Sequence, residues 1–273
     1  MGSQHEESIF CCDFFVYNTE MNGEVIMTDT LWSTDHRPWP LPKLPWTMKQ
    51  TWSELLLAHY PVKYERLREL VPKALPLDSF DGMGWVSIVP FQMEGIRLRG
   101  MPPVHGTDRF PELNVRTYVT VDGKPGVYFF SLDAANRLAV MTAKAFYYLP
   151  YVYADMQLKI DGAEIDFVSQ RREQATAGWA SRYRPASEPF YATKGSFDEW
   201  LTERYCLYTL NKAGVPFRCD ILHRPWLLQQ AEADISQNTM LSIHGIQAES
   251  DQPILHFSKT IDVRTWPLIR AAD

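Results

Sequence analysis

The chain has 273 residues, 45% of them apolar and 13% aromatic, which is enough for a sizeable core and too much for a disordered chain. Its net charge of −6 lacks the basic surplus of a nucleic-acid binder. Four cysteines (Cys11, Cys12, Cys206 and Cys219) without C-x-x-C spacing do not make a disulfide framework, so a reducing compartment fits.

The opening MGSQHEESIF has neither the basic start nor the apolar core of a signal peptide. No stretch approaches the roughly 20 apolar residues of a membrane span, so a cytoplasmic protein is expected. Residues 1–36 are polar and patternless and read as a loosely ordered leader, with Met27 as an alternative start. Residues 37–273 read as one domain, because no linker or repeat divides them. That domain begins with Pro38, Pro40, Pro42 and Pro45, an extended arm that Trp39, Trp46 and Trp52 would anchor. An arm wrapping its own domain is favoured over one embracing a neighbouring subunit.

Next, Leu55, Leu56 and Leu57 form an apolar run. Val62, Leu67, Leu70 and Val71 lie near helical spacing before Pro72. Residues 78–100 predict a hairpin's worth of strand with a turn at Asp81-Gly82. FPELNVRTYV (110–119) predicts a strand, Asp122-Gly123 a tight turn, and GVYFFSL the returning strand. A helix is predicted from Asp133 as N-cap to Tyr148, with Leu138, Met141, Ala145 and Tyr148 as its buried stripe. Strands follow in MQLKIDG, AEIDFVSQRRE and GWASRYRP. SFDEWLTERY predicts a short helix capped by Ser196, with Glu199 placed for a capping box. FRCDILHRPW, QAEADIS and ILHFSKTIDV are late strands. The absence of β-α-β alternation argues against a parallel doubly wound sheet. The expected fold is α+β and β-rich, a mostly antiparallel barrel or cone with a few packed helices.

Familiar catalytic motifs are missing: no phosphate-binding glycine loop, no H-E-x-x-H and no G-x-S-x-G. The most informative stretch is 110–119. There Glu112, Asn114, Arg116 and Tyr118 alternate with Leu113, Val115, Thr117 and Val119, so the polar set shares one face. Glu112 and Arg116 stand roughly 13 Å apart by strand rise and are not paired along the strand. The partner strand is apolar on both faces, with Tyr128 and Phe130 alternating with Val127 and Phe129. Such a strand sits inside a layered structure, so its neighbour's polar face is expected to look into a partly enclosed cavity, with an ordinary solvent-facing surface as the alternative. His223 in LHRPW is the best outside candidate for acid–base work, with a packing role as the duller alternative.

RPWPLPKLPWTMKQTWSELLLAHYPV, FDGMGWVSIVPFQM, FPELNVRTYV, GVYFFSLDAANRLAV, LPYVYADM, FDEWLTERYCLYT and LHRPW occur in that order. On these motifs, from about Arg37 to about Trp226, the chain resembles the YqjF-like family of uncharacterised proteins. That family in turn resembles acetoacetate decarboxylase. The resemblance implies a cone-shaped β-barrel around a central cavity, often in oligomers. It matches Glu112 to the decarboxylase's active-site glutamate. It also matches Tyr151 and Val152, after the Leu149-Pro150 step, to two lysines of which one forms the Schiff base. Lys144 is a poor substitute nucleophile, since it aligns with an arginine. Decarboxylation through a Schiff base is therefore not expected, because a tyrosine and a valine offer no amine. No cofactor and no metal are called for. The expected ligand is a small molecule, a carboxylate by preference, with no nucleic acid and no membrane. In one reading Glu112 and Tyr151 do acid–base chemistry on a small oxo- or hydroxy-acid bound by Arg116, Asn114, Tyr118, Tyr128 and His223. In the other the barrel binds a small molecule without transforming it, or is structural.

Overall fold

The computed structural model describes residues 32–102, 109–138, 140–141 and 147–271. The strands in chain order are β1 (Met48–Lys63), β2 (Met83–Leu98), β3 (Arg109–Val121), β4 (Lys124–Ala134), β5 (Tyr151–Asp161), β6 (Glu164–Arg171), β7 (Gly178–Pro185), β8 (Phe190–Tyr191), β9 (Cys206–Leu210), β10 (Pro216–Leu222), β11 (Leu227–Asn238), β12 (Ile254–Thr265) and β13 (Ile269–Arg270). Helix α1 (Tyr64–Leu70) follows β1, and α2 (Phe197–Thr202) precedes β9.

Strand pairing closes two rings. Following β12-β1-β2-β3-β4-β5-β6-β7-β11 and back to β12 gives a nine-strand barrel. Following β12-β1-β2-β3-β4-β9-β10 and back to β12 gives a ring of seven. The two share β12 and β1 to β4 as a common wall. The closing pairs of the smaller ring are the parallel contact of Val127 with Leu207 and the antiparallel contact of Ile221 with Thr265.

A wall with a lumen on each side must be apolar on both faces. This is why Leu55, Leu56, Leu57 and Ala58 are all buried. Leu55 and Leu57 pack in one cluster, Leu56 and Ala58 in the other. Between Ser53 and Ala58, β1 carries one more residue than β2, and Glu54 adopts a positive φ of 53°. This bulge puts Trp52 and Leu55 on the same side. It also leaves Pro90, which has no N–H to give, opposite the unpaired stretch.

The structure corrects several expectations. The run before Lys63 is strand, and only Tyr64–Leu70 is helical, with Leu67 buried and Leu70 exposed. Residues 83–98 form one strand rather than a hairpin. Asp133 caps no helix: it ends β4 and is held by Arg171. Residues 137–138, 140–141 and 147 are helical, but Leu138, Met141 and Tyr148 are exposed rather than a buried stripe. Ala145 and Lys144 lie outside the described residues, as do Cys11, Cys12, Met27 and all of the leader before residue 32. Trp52 belongs to β1, not to the arm. The arm lies on its own chain: Arg37 pairs with Asp220 at 2.7 Å, and Trp39 Nε1 donates to the same carboxylate.

Other local expectations hold. Asp122 and Gly123 both have positive φ, 50° and 68°, as a two-residue hairpin turn requires. Ser196 Oγ accepts the Glu199 N–H at 3.2 Å, while the Glu199 carboxylate reaches back to the Gly195 N–H. No helix among the described residues is long and apolar enough to cross a membrane.

Candidate functional site

The smaller ring encloses a cavity of about 160 Å³, and each of its seven strands contributes to the lining. Glu112, Asn114 and Arg116 project into it from β3, among apolar lining residues that include Trp52, Phe91, Phe110 and Phe129. The other face of β3, with Leu113, Val115 and Val119, packs into the second cluster against residues such as Phe167 and Trp179. A period of two thus sends one strand's two faces into two different interiors.

The polar row does not enter the cavity whole. Tyr118 does not line it. Its hydroxyl instead hydrogen-bonds Ser87 Oγ at 2.6 Å, within reach of His59 Nδ1 at 3.3 Å. Tyr128 is on the opposite side of β4, packed with Phe130 against the other core. A bulge between Val115 and Arg116 in the β3–β4 pairing keeps Val127, Phe129 and Leu132 on the cavity face.

At one end of the cavity is an acid. Glu112 is 2% exposed, and Tyr151 Oη donates to its two carboxylate oxygens at 3.3 and 3.2 Å. The parallel pairing of Leu132 with Tyr151 at the start of β5 brings the phenol there. Burial pushes the Glu112 carboxyl up to about 8; the Tyr151 hydrogen bond pulls it back in part, and the charge of Asp133 adds to the rise. Burial and the neighbouring Glu112 push the Tyr151 phenol well above its ordinary value.

At the other end are two cations. Arg116 is buried, and among the described residues no carboxylate lies within ion-pair distance of it. Its Nε has no hydrogen-bond partner, and neither does Asn114 Oδ1. Burial pulls the Arg116 guanidinium below its ordinary value, while its hydrogen bond with Tyr118 works the other way. Arg204, in the SFDEWLTERY segment that reads from sequence as a short capped helix, is the residue missed. It lines the cavity and pairs with Asp78 at 2.8 Å, and Nε donates to Trp200 O at 2.6 Å. Its Nη2 is left bare, and its guanidinium lies 5.0 Å from the Tyr118 ring centre.

His223 also lines the cavity. Its Nδ1 is 2.7 Å from Arg224 O and its Nε2 is 3.3 Å from Arg204 O, with the ring stacked on Tyr205. Two carbonyls favour a second proton, but burial is the larger effect and holds the imidazole below its ordinary value. The single N–H of the neutral imidazole donates to one of these two carbonyls, so His223 braces the backbone beside the cavity. Among the described residues, the cavity lining contains no lysine.

Residues 49–262 match the model of DUF2071, a family of uncharacterized conserved proteins. The chain belongs to the DUF2071 family. It is 51% identical over 223 residues to the uncharacterized protein YqjF of Bacillus subtilis (strain 168), covering 82% of this chain and 92% of that one. Its fold is similar to the acetoacetate decarboxylase of Legionella pneumophila, with TM-score 0.56 and 11% identity over 90% of this chain and 98% of that chain. It is equally similar to the enduracididine biosynthesis enzyme MppR complexed with pyruvate, at TM-score 0.56 and 8% identity over 84% and 92% of the two chains. The DUF2071 chain therefore has an acetoacetate decarboxylase-like barrel.

Proposed function

We propose that this DUF2071 protein binds a small oxo- or hydroxy-acid in the seven-strand lumen and moves a proton on it without forming a Schiff base. One observation carries the reading. A carboxyl with its pKa raised to about 8 lines the same cavity as an arginine that no carboxylate neutralises among the described residues. Two buried charges that served only structure would pair with each other. Here Glu112 is kept near neutrality, where a group gives and takes protons with equal ease. Arg116 is left with a bare Nε, and its guanidinium suits a carboxylate.

In the forward step the Glu112 carboxylate takes a proton from the carbon beside the ligand's carbonyl. The carbon–hydrogen electron pair moves into an enolate, and the Glu112 acid returns the proton. Tyr151 donates to the Glu112 carboxylate while it is charged, and Arg116 holds the ligand's own carboxylate. The chemistry of these residues supports the reading. So does the fold they share with a protein that was solved with pyruvate bound.

Deuterium exchange provides the test. Small oxo-acids are incubated with the protein in deuterated buffer, and incorporation beside the carbonyl is followed by proton NMR. Exchange by the wild type that is lost in Glu112→Gln is the expected result. Saturable binding with no exchange by the wild type would leave a binding barrel in place of an enzyme.

A further inference from the structure

The spacing of polar groups inside the cavity constrains the shape of the acid, provided that the small-acid reading above is right. Glu112 and Arg116 project from one face of β3 four residues apart, roughly 13 Å by strand rise. The Tyr118 hydroxyl that acts on Arg116 lies against Ser87, the residue paired with Arg116 across the sheet, so the guanidinium has its partner near its own level and the separation along the strand stands. Arg204, 5.0 Å from the Tyr118 ring, adds to the same cationic end. Tyr151 adds its hydroxyl to the Glu112 end. Subtracting one hydrogen bond of about 2.8 Å at each end leaves a ligand roughly 7 Å long between its two polar groups.

Width and charge narrow the class further. A volume of about 160 Å³ is close to that of an apolar cavity of about 150 Å³ that takes up benzene. The cavity walls include Trp52, Phe91, Phe110 and Phe129, which suit a flat ring better than a hydrated chain. Arg204 already has Asp78, so a single guanidinium is left uncompensated. One carboxylate neutralises it. A second carboxylate would face Glu112 in a dry site.

We propose that the cavity takes a flat, cyclic monocarboxylate carrying a hydroxyl or carbonyl oxygen at the end opposite its carboxylate. The acid end then serves as donor and acceptor to that remote oxygen, and the aromatic walls cover the ring. Short 2-oxo acids, whose two oxygen functions are adjacent, reach only one end.

Isothermal titration of the full chain at pH 7 with 4-hydroxybenzoate, 2-hydroxybenzoate, benzoate, terephthalate and pyruvate tests this. The wild type is expected to bind 4-hydroxybenzoate at least about tenfold more tightly than each of the others, the gap of one well-made hydrogen bond or one buried ring. Glu112→Gln should narrow the advantage of 4-hydroxybenzoate over benzoate. Arg116→Met should abolish binding of both, and Arg116→Lys, which keeps the charge, should restore part of it. Equal or tighter binding of pyruvate, terephthalate or 2-hydroxybenzoate would overturn the inferred shape while leaving the small-acid reading intact. If the wild type bound pyruvate and other oxo-acids no better than it bound these aromatic acids, and none measurably, the underlying reading would fall as well. The wild-type panel decides the matter even if a variant fails to fold.

Discussion

Two buried arginines, one on each side of the shared wall, are handled in opposite ways. Arg171, on β6 of the nine-strand barrel, grips Asp133 with Nε and Nη2, both at 2.8 Å. Arg116, on β3 and facing the seven-strand lumen, has no such carboxylate among the described residues. Side chains 6–7% exposed are equally desolvated in both cases, so the difference is not one of burial. It lies in where the compensating charge comes from. The larger barrel supplies it from its own chain and packs the remaining space with residues such as Trp179, Tyr183 and Phe257. The smaller ring leaves space and an unspent charge together, which is the arrangement of a site that waits for an anion.

The sharpest test of this contrast has the largest effect. Arg171→Met should destabilise the protein by roughly 3–5 kcal/mol, because it strands the buried Asp133 without a partner. Urea unfolding would measure it. A loss under about 1 kcal/mol would mean that Asp133 finds other compensation, and that the paired barrel is not the rigid half.

A somewhat smaller effect is written in pH. The Glu112 carboxyl rises from about 4.5 in the unfolded chain to about 8 in the fold. Between those values the native state holds a proton that the unfolded state has released, so stability must fall as pH rises. The contribution is fully present below about pH 4.5 and is lost as pH climbs through about 8. Between pH 5.5 and pH 8.5 the loss is roughly 3 kcal/mol. Glu112→Gln, always neutral, should remove this slope. Comparing urea midpoints of the two proteins at pH 5.5 and pH 8.5 checks it. Parallel pH dependences would show that Glu112 is ionised throughout, and the asymmetry between the two lumens would shrink to a matter of packing.

How far this contrast was legible from the residues differs along the chain. The alternation in 110–119 carries its own face assignment, because period two survives any tertiary context that keeps the strand straight. A bulge or the end of a cavity does not show in that alternation. Tyr118 keeps the right face but lies past the end of the cavity, and Tyr128 falls on the wrong face of β4. Leu55-Leu56-Leu57 reads only as an apolar run for a physical reason: a strand covered on both sides loses the alternation that identifies strands. Tyr151 meets Glu112 only through a parallel pairing across a long connection, which no local pattern encodes. Here the resemblance to a known family placed the residue. Arg204 was passed over because T-E-R-Y after a capped helix signals a helix end. Only the folded structure puts its guanidinium in the cavity lining, against the Tyr118 and Trp200 rings.

The smallest expected effect also has the opposite sign. Arg116→Met replaces a buried, uncompensated cation with an apolar side chain of similar length, in a lumen already lined by Phe91, Phe129 and other apolar groups. The cation gives up its hydration on folding and recovers only the hydrogen bond with Tyr118 and the cost-free packing of its stem. Removing it should raise stability by roughly 1–2 kcal/mol, the low end of what is gained when buried charges are replaced by hydrophobic groups. The same change should abolish the rise in melting temperature that an organic acid gives the wild type, since the ligand's charge would then have no partner. Calorimetry with and without benzoate reads both quantities in one experiment. A variant that is less stable than the wild type would show that Arg116 is compensated within the fold, as Arg171 is. The seven-strand ring would then be as self-sufficient as the nine-strand barrel, and its cavity would have no unmet charge to offer a ligand.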